Sequence, residues 1–237
     1  MRALRAARVP IMLAMPALML ATLAAAQQAV SFPTQDGGRI YGDLYGNGSG
    51  GGNGARGVVL AHGGRFNKES WRAQADALVS AGFRVLAIDF RGFGRSTGPR
   101  QADFDSAPFE NDVLAGVRYL KAQGVKTVSV VGGSFGGGAA GDASIKSAPG
   151  EIDRIVFLGA APNLSAEKLK SRVLFIVARD DAGDGGPRLP GIRAQYEKAP
   201  QPKELIVLDG SAHAQFLFQT NQSDRVMREI LRFLSAP

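Results

Sequence analysis

The sequence of 237 residues contains no cysteine and only two histidines, His62 and His213. Without cysteine the chain cannot form disulfides, a thiol nucleophile or a cysteine-ligated metal site. Two histidines alone also disfavour a zinc site, because zinc sites in proteins use mainly histidine and cysteine. We therefore expect no metal and no other cofactor. Any chemistry that needs a histidine must use one of these two.

The sequence also lacks a long run of lysine or arginine, although its formal net charge is +7. The basic residues are scattered along the chain, which gives little support for nucleic-acid binding. A hydrophobic content of 45% with 21% charged residues is typical of a globular protein with a hydrophobic core. The expected partner is a small molecule, and the composition leaves the oligomeric state open.

The only long apolar run lies at the N-terminus. "MRALRAAR" has three arginines and no acid, "VPIMLAMPALMLATL" follows, and Ala24 to Ala26 offer a small-residue cleavage site. A retained membrane anchor is the competing interpretation. Two prolines and a run shorter than the ~20 residues of a comfortable span favour cleavage instead. We predict a signal peptide over residues 1–26, export to a periplasm or the outside, and a mature domain over 27–237 without stable membrane anchoring.

The rest of the chain alternates strand-like and helix-like segments. "QAVSFPTQDGGRIYGDLYG" predicts a hairpin, and "GNGSGGGNGARG" predicts a flexible surface connection. Strands are then predicted at "GVVLAH", "FRVLAIDF", "TVSVV", "RIVFLGA", "RVLFIVA" and "ELIVLD". Helices are predicted at "KESWRAQADALVSAG", "APFENDVLAGVRYLKAQG", "FGGGAAGDASIKS", "PGIRAQYEK" and "SDRVMREILRFL". Strands that are apolar throughout indicate a parallel sheet covered on both faces, so the predicted fold is one doubly wound α/β domain.

Two of the predicted helices have a clear apolar face. The residues expected to face inward are Phe109, Val113, Leu114, Val117 and Leu120 in the first, and Val226, Met227, Ile230, Leu231 and Leu234 in the second.

The segment "TVSVVGGSFGGGAAGDA" places one serine among glycines between a predicted strand and a predicted helix. "GGSFG" fits the pattern G-x-S-x-G, in which Gly132 and Gly136 flank Ser134. On such a sharp turn the residues two positions before and after the serine press against each other, and a Cβ there would clash. The N-terminal amides of the helix would also point at charge developing on a bound acyl group.

Other interpretations of these glycines are weaker. Gly136, Gly138 and Gly141 fit the dinucleotide pattern G-x-G-x-x-G, but the first glycine lies too far past the strand, and the next strand ends without an acidic residue. A Walker loop would need Lys-Ser or Lys-Thr after the second glycine, which is missing. A glycine-rich helix entry without function remains the alternative on the motif alone.

A serine hydroxyl becomes a useful nucleophile only when a base takes its proton and a carboxylate orients that base. "LFIVARDDAGD" supplies Asp180, Asp181 and Asp184 after a later strand, and "ELIVLDGSAHAQF" places His213 after the last one. Serine, then acid, then histidine is one of the known chain orders of a catalytic triad. Both loops follow the carboxyl ends of strands, where α/β proteins gather their sites.

These segments, taken together from about Val58 to the C-terminus, resemble the α/β-hydrolase family, in its small lidless serine-hydrolase branch with esterases and dienelactone-hydrolase-like proteins. "LAHGGRFNKESW" is similar to the family's His-Gly loop and "AIDFRGFGRSTG" to its Asp-x-x-Gly-x-Gly-x-Ser stretch. "VVGGSFGG", "VARDD" and "GSAH" resemble its nucleophile, acid and base segments.

The resemblance implies Ser134 as nucleophile, His213 as base and Asp181 as acid. Ala178 stands where the family usually has glycine, so Asp180 and Asp184 stay open as alternatives for the acid. It further implies an oxyanion hole formed by the N–H groups of Phe135 and Gly64, with Arg65 as the alternative second donor.

The same resemblance assigns structural roles to other residues. His62 would shape the oxyanion loop, and Asp89, Arg91 and Gly92 would fix the turn after their strand. Residues 159–171 are too few for a large cap, so the site should be open. A serine in place of an aspartate argues against epoxide hydrolase or haloalkane dehalogenase chemistry. The expected activity is cleavage of ester or related acyl bonds. Amide or peptide hydrolysis, or a non-catalytic ligand-binding member of the fold, are the alternatives.

The N-terminal pattern yields a first testable prediction. Exported protein should begin near Gln27, because the small residues Ala24 to Ala26 precede that position. Intact-mass measurement of the exported protein checks this. Full-length chain that still contains Met1, found in a membrane fraction, would contradict it.

Overall fold

The computed structural model describes residues 27–46 and 55–237. The predicted signal peptide and most of the predicted flexible connection, residues 47–54, lie outside the described residues.

An eight-stranded sheet forms the centre of the described structure, in the order β1-β2-β4-β3-β5-β6-β7-β10. Its strands are β1 (Gln27–Pro33), β2 (Arg39–Tyr45), β3 (Arg56–Ala61), β4 (Arg84–Ile88), β5 (Thr127–Gly133), β6 (Arg154–Leu158), β7 (Arg172–Ala178) and β10 (Lys203–Leu208). The predicted hairpin β1–β2 joins β4 in antiparallel pairing, and the strands from β4 to β10 pair in parallel. Two short strands, β8 (Ala182–Gly183) and β9 (Gly186–Pro187), form a separate small hairpin.

Helices cover both faces of this sheet. They are α1 (Arg72–Ser80), α2 (Glu110–Ala122), α3 (Phe135–Lys146), α4 (Leu189–Lys198) and α5 (Ser223–Ser235). Residues of α2, α3 and α4 belong to one hydrophobic cluster, and residues of α1 and α5 belong to the other. Successive residues of β3 alternate between the clusters, with Val59 in the first and Val58 and Leu60 in the second. Burial on both faces explains why the central strands are apolar throughout.

The structure confirms the predicted fold class, a mostly parallel sheet between helices, and the described residues form no large cap. The five residues predicted to face inward on and before α2 are all buried. On α5 the predicted Val226, Ile230 and Leu234 are buried, and Met227 and Leu231 are partly buried and pack against the same cluster. Phe233, which was not predicted, is also buried. The apolar face of α5 is therefore rotated slightly toward Phe233.

The sequence predicted that "KESW" forms the first turn of α1, but in the structure α1 begins only at Arg72. The segment "KESW" forms a separate 3-10 turn, Lys68–Trp71, whose N-terminus is capped by the side chain of Asn67, which accepts a hydrogen bond from the Ser70 N–H at 3.2 Å. Asparagine caps favour such a start because their oxygen satisfies an otherwise free amide.

The turn after β4 contains a buried ionic network. Arg91, which is fully buried, donates through Nη2 to Asp112 Oδ1 at 2.6 Å and through Nη1 to Asp36 Oδ2 at 2.7 Å. Burial alone would lower the pKa of Arg91, but the hydrogen bonds to both carboxylates raise it above its ordinary value. Gly92 follows with φ +82°, in the left-handed region. The predicted structural role of Arg91 and Gly92 agrees with this arrangement, and the network joins the hairpin, the turn and α2.

The predicted structural role of Asp89 in the turn after β4 also agrees with the structure, since its Oδ1 accepts a hydrogen bond from the Lys68 N–H at 2.8 Å.

No helix among the residues that the structure describes is both long and apolar enough to span a bilayer.

The ionic network yields a second prediction. Arg91→Met should lower the free energy of unfolding by about 3–5 kcal/mol, because it leaves Asp112 buried without its partner. Arg232→Met is the matched control: Arg232 pairs with Glu204 and Glu229 at the surface, where such pairs contribute about 1 kcal/mol or less. Urea unfolding followed by circular dichroism measures both. Equal losses in the two variants would show that the Arg91 network is not needed for stability.

Candidate active site

Ser134 occupies the turn between β5 and α3 in an unusual backbone conformation, with φ +52° and ψ −124°. A residue other than glycine rarely adopts a positive φ, and such strain persists only where the surroundings fix it. Three backbone hydrogen bonds do so: the Ser134 N–H donates to Leu158 O at 3.0 Å, and its carbonyl accepts from Gly137 and Gly138 at 2.9 and 3.1 Å. The serine is thus held at the end of β5 while the chain reverses into α3.

The flanking glycines are required by close contact. A Cβ on Gly132 would lie 2.6 Å from Gly136 O, and one on Gly136 would meet His62 O and lie 2.6 Å from Ala61 O. Carbon atoms do not approach backbone oxygens so closely without displacement. The predicted steric reason for these two glycines therefore agrees with the structure.

The later glycines of the segment have a different role. A Cβ on Gly138 would lie 2.8 Å from the Asn163 side chain, and one on Gly141 would lie 2.5 Å from Pro162 Cβ. Both glycines let α3 pack against the loop after β6.

The structure brings the predicted Ser134, His213 and Asp181 side chains together. Ser134 Oγ lies 2.8 Å from His213 Nε2, and His213 Nδ1 lies 2.8 Å from Asp181 Oδ2. With the proton on Nδ1 donated to the carboxylate, Nε2 is free to accept the serine hydroxyl proton. Asp181 is fully buried, whereas the His213 side chain is 24% exposed. The three residues form one hydrogen-bonded chain that ends at a partly exposed hydroxyl.

Neither of the alternative acids reaches the histidine. Asp180 and Asp184 are exposed, and the Asp180 N–H donates to Gly210 O at 2.9 Å. Asp181 turns inward because its N–H bonds back to Ala178 O at 3.2 Å, at the end of β7. Alanine at position 178, where the resembling family has glycine, is compatible with this turn.

Gly159, directly after β6, was not singled out from the sequence. It has φ +57°, and a Cβ on it would lie 3.0 Å from both Asp181 Oδ2 and His213 Nδ1. A side chain there would separate the acid from the histidine. The only sequence signal is the glycine next to the end of "RIVFLGA".

The His62–Gly64 loop lies against the serine turn. A Cβ on Gly63 would be 3.3 Å from Ser134 Cβ, and one on Gly64 would be 3.8 Å from Phe135 Cδ1. The Gly63 N–H donates to Gln215 Oε1 at 2.7 Å, and Gln215 donates to Ser70 Oγ at 2.8 Å. Gln215 thus ties this loop to the histidine loop, a contact between distant residues that the sequence did not reveal.

His62 is fully buried and does not contact the serine hydroxyl. Its Nδ1 donates to Gly63 O at 2.9 Å, and its Nε2 accepts from the Phe90 N–H at 3.3 Å. Burial lowers the pKa of His62 below its ordinary value, which favours this neutral form. The ring also packs edge-on against Phe93. These contacts agree with the predicted loop-shaping role.

A cavity of about 510 Å³ opens beside Ser134. Residues 159–171 contain only the 3-10 turn Ala166–Lys168, so within the described residues no cap is inserted there. The cavity is bounded instead by the loop after β6 and by the β8–β9 hairpin with the start of α4, which supplies Arg188. Arg188 was not predicted as a site residue. The site is open, as the short segment after β6 predicted.

Among residues 27–46 and 55–237, no group of three or more histidine, aspartate or glutamate side chains is arranged to hold a metal ion.

A family model described as the alpha/beta hydrolase fold matches residues 57–197. Two curated relatives are a non-heme haloperoxidase from Rhodococcus erythropolis, 31% identical over 56% of this chain and 44% of its own length, and epoxide hydrolase B from Mycobacterium tuberculosis, 42% identical over 33% and 22%. A solved structure, an esterase from Pyrococcus furiosus, superimposes with a TM-score of 0.71 at 21% identity over 89% of this chain and 90% of the esterase.

These likenesses differ in what they show. The match to the haloperoxidase covers less than half of that relative's length, and the relatives named have different activities. At 21% identity the esterase shows the fold alone.

The serine turn yields a third prediction. Gly136→Ala should destabilise the protein by about 1–3 kcal/mol, because the added methyl group forces the His62 backbone away from α3. Gly191→Ala, also in a helix but with no atom within 4 Å of the added methyl group, should be neutral or slightly stabilising. Thermal unfolding compares the two. Equal tolerance of both substitutions would mean that the close contact at Gly136 is not a steric requirement.

Proposed function

The chain belongs to the α/β-hydrolase family, and we propose that it is a serine hydrolase that cleaves ester or related acyl bonds through an acyl-enzyme. The observation that supports this most directly is the hydrogen-bonded chain from Ser134 through His213 to the buried Asp181, at the edge of an open cavity. A strained serine is energetically costly, and such strain concentrates at functional sites.

In the first half of the proposed reaction, Ser134 Oγ attacks the carbonyl carbon of the substrate while His213 Nε2 accepts the hydroxyl proton. The resulting oxyanion would lie at the N-terminus of α3, near the Phe135 N–H, with the Gly64 N–H as second donor. The protonated His213 then gives its proton to the leaving alcohol, and the acyl group remains bonded to Ser134.

In the second half, a water molecule enters and gives its proton to His213 while its oxygen attacks the acyl carbon. The acid leaves, and Ser134 regains its proton from His213. Asp181 serves both halves in this proposal. It fixes the ring so that Nε2 faces the serine, and its negative charge stabilises the imidazolium that forms.

The contacts around Gly63 bear on which N–H group of the His62–Gly64 loop can be the second donor to the oxyanion. Because the Gly63 N–H is already bonded to Gln215, it is not available as a donor, whereas Gly64 is exposed. This favours Gly64 over Gly63. Arg65 is also exposed and stays the alternative donor.

Other chemistries on the same fold are less well supported. One of the relatives is an epoxide hydrolase, but a serine at position 134 argues against an aspartate-nucleophile mechanism. Amide or peptide hydrolysis would use the same residues. Comparing turnover of acyl esters with turnover of aminoacyl amides distinguishes it from ester hydrolysis. A non-catalytic binding protein would not need all three hydrogen-bonded residues. We also propose that the protein is exported and that its substrate is a small acyl compound.

The fourth prediction tests the roles of the three residues. Ser134→Ala should abolish ester turnover, and Asp181→Asn should lower it by about 10³- to 10⁴-fold, because the amide no longer holds His213 in the productive tautomer.

Asp180→Asn is the matched control, because Asp180 is the neighbouring acid but is exposed. Steady-state kinetics on a short-chain ester measures the variants, and circular dichroism confirms that each is folded. A large loss in Asp180→Asn with little loss in Asp181→Asn would overturn the assignment of the acid.

A further inference from the structure

Among the residues that the structure describes, Arg188 is the only charged one that lines the cavity beside Ser134. The other walls come mostly from small or apolar residues, and Asn163 and Gln195 supply the remaining polar side chains apart from the serine. A cavity of about 510 Å³ lies within the range of small-molecule sites, in which a few polar groups fix the orientation of the ligand. A single cation in such a cavity selects for a ligand of opposite charge.

The guanidinium of Arg188 is only partly used by the protein. Its Nε lies 3.3 Å from Asp181 Oδ1, and its side chain is 41% exposed. In the described part of the chain, no hydrogen-bond acceptor engages its Nη atoms. Up to four N–H donors are therefore available to a ligand in the cavity.

The position of Arg188 is fixed by the backbone. Its N–H donates to Asp181 O at 2.8 Å, and its guanidinium covers Gly183, where a Cβ would lie 2.9 Å from Arg188 Cζ. The β8–β9 hairpin thus returns the chain to the acid and holds the arginine beside it. Because Arg188 also lies next to Asp181 Oδ1, it compensates the buried carboxylate, which would otherwise repel an anionic ligand.

We infer that Arg188 is a substrate-binding residue that selects small esters bearing a free carboxylate. This inference rests on the proposed function. A planar guanidinium binds carboxylates through two parallel hydrogen bonds, which a neutral ester group cannot reproduce. The substrate would place its carboxylate on the Nη atoms of Arg188 and its ester carbonyl at Ser134.

The test compares kcat/KM for charged and neutral esters of matched length. Monoethyl succinate, glutarate and adipate place the carboxylate on the acyl side, acetyl esters of short hydroxy acids place it on the alcohol side, and ethyl esters of unbranched monocarboxylic acids are the neutral set. Wild type should prefer one charged set by about 10- to 100-fold, as expected for charge-assisted hydrogen bonds.

Arg188→Met should remove that preference mainly through KM, and Arg188→Lys should keep part of it. Arg193→Met is the matched control, since Arg193 is exposed on the same helix but does not line the cavity, and it should keep the preference unchanged. A wild type without preference for either charged set would overturn the inference. Equal loss on charged and neutral esters in Arg188→Met would do so as well, because it would mean that Arg188 only supports Asp181.

A binding measurement separates this inference from the proposed reaction. Glutarate, which has no ester bond, should raise the unfolding temperature of Ser134→Ala but not of Ser134→Ala combined with Arg188→Met. If no ester is turned over but this difference is observed, the hydrolase proposal fails and the carboxylate site stands. If glutarate stabilises both variants equally or neither of them, the carboxylate site is wrong even where esters are hydrolysed.

Discussion

The contact between the ends of β5 and α3 is the constraint on which the site depends. Gly132 and Gly136 approach each other so closely that a Cβ on the first would lie 2.6 Å from the carbonyl of the second. This contact lets the chain reverse at Ser134, directs the N-terminus of α3 toward the serine, and lets the His62 backbone lie against the helix. The strained φ of Ser134 is a consequence of the same geometry.

The parallel sheet supplies the other members of the site. Because β5, β7 and β10 run in the same direction, the loops that follow them meet at one edge, which brings Asp181 and His213 to Ser134. Gly159, after β6, leaves the space in which the acid and histidine meet. Loop residues more than 30 positions apart in sequence therefore form one hydrogen-bonded chain.

Much of this arrangement could be predicted from sequence because the signals are local. Apolar strands, amphipathic helices and the order of serine, acid and histidine indicate the fold and the three principal residues. The choice of Asp181 over Asp180 and Asp184 depends on which side chain turns inward, and a run of acids does not specify that. Gln215, Gly159 and Arg188 acquire their roles only through contacts across the fold, so a single sequence contains no pattern that identifies them.

The most direct test of the account is active-site labelling of the folded protein with a fluorophosphonate, followed by peptide mass spectrometry. The account predicts one adduct per chain, on Ser134, formed much more slowly when His213 is replaced by alanine and retained when His62 is replaced. A folded protein that takes no adduct, or takes it on another residue, would contradict the claim that Ser134 is an activated nucleophile.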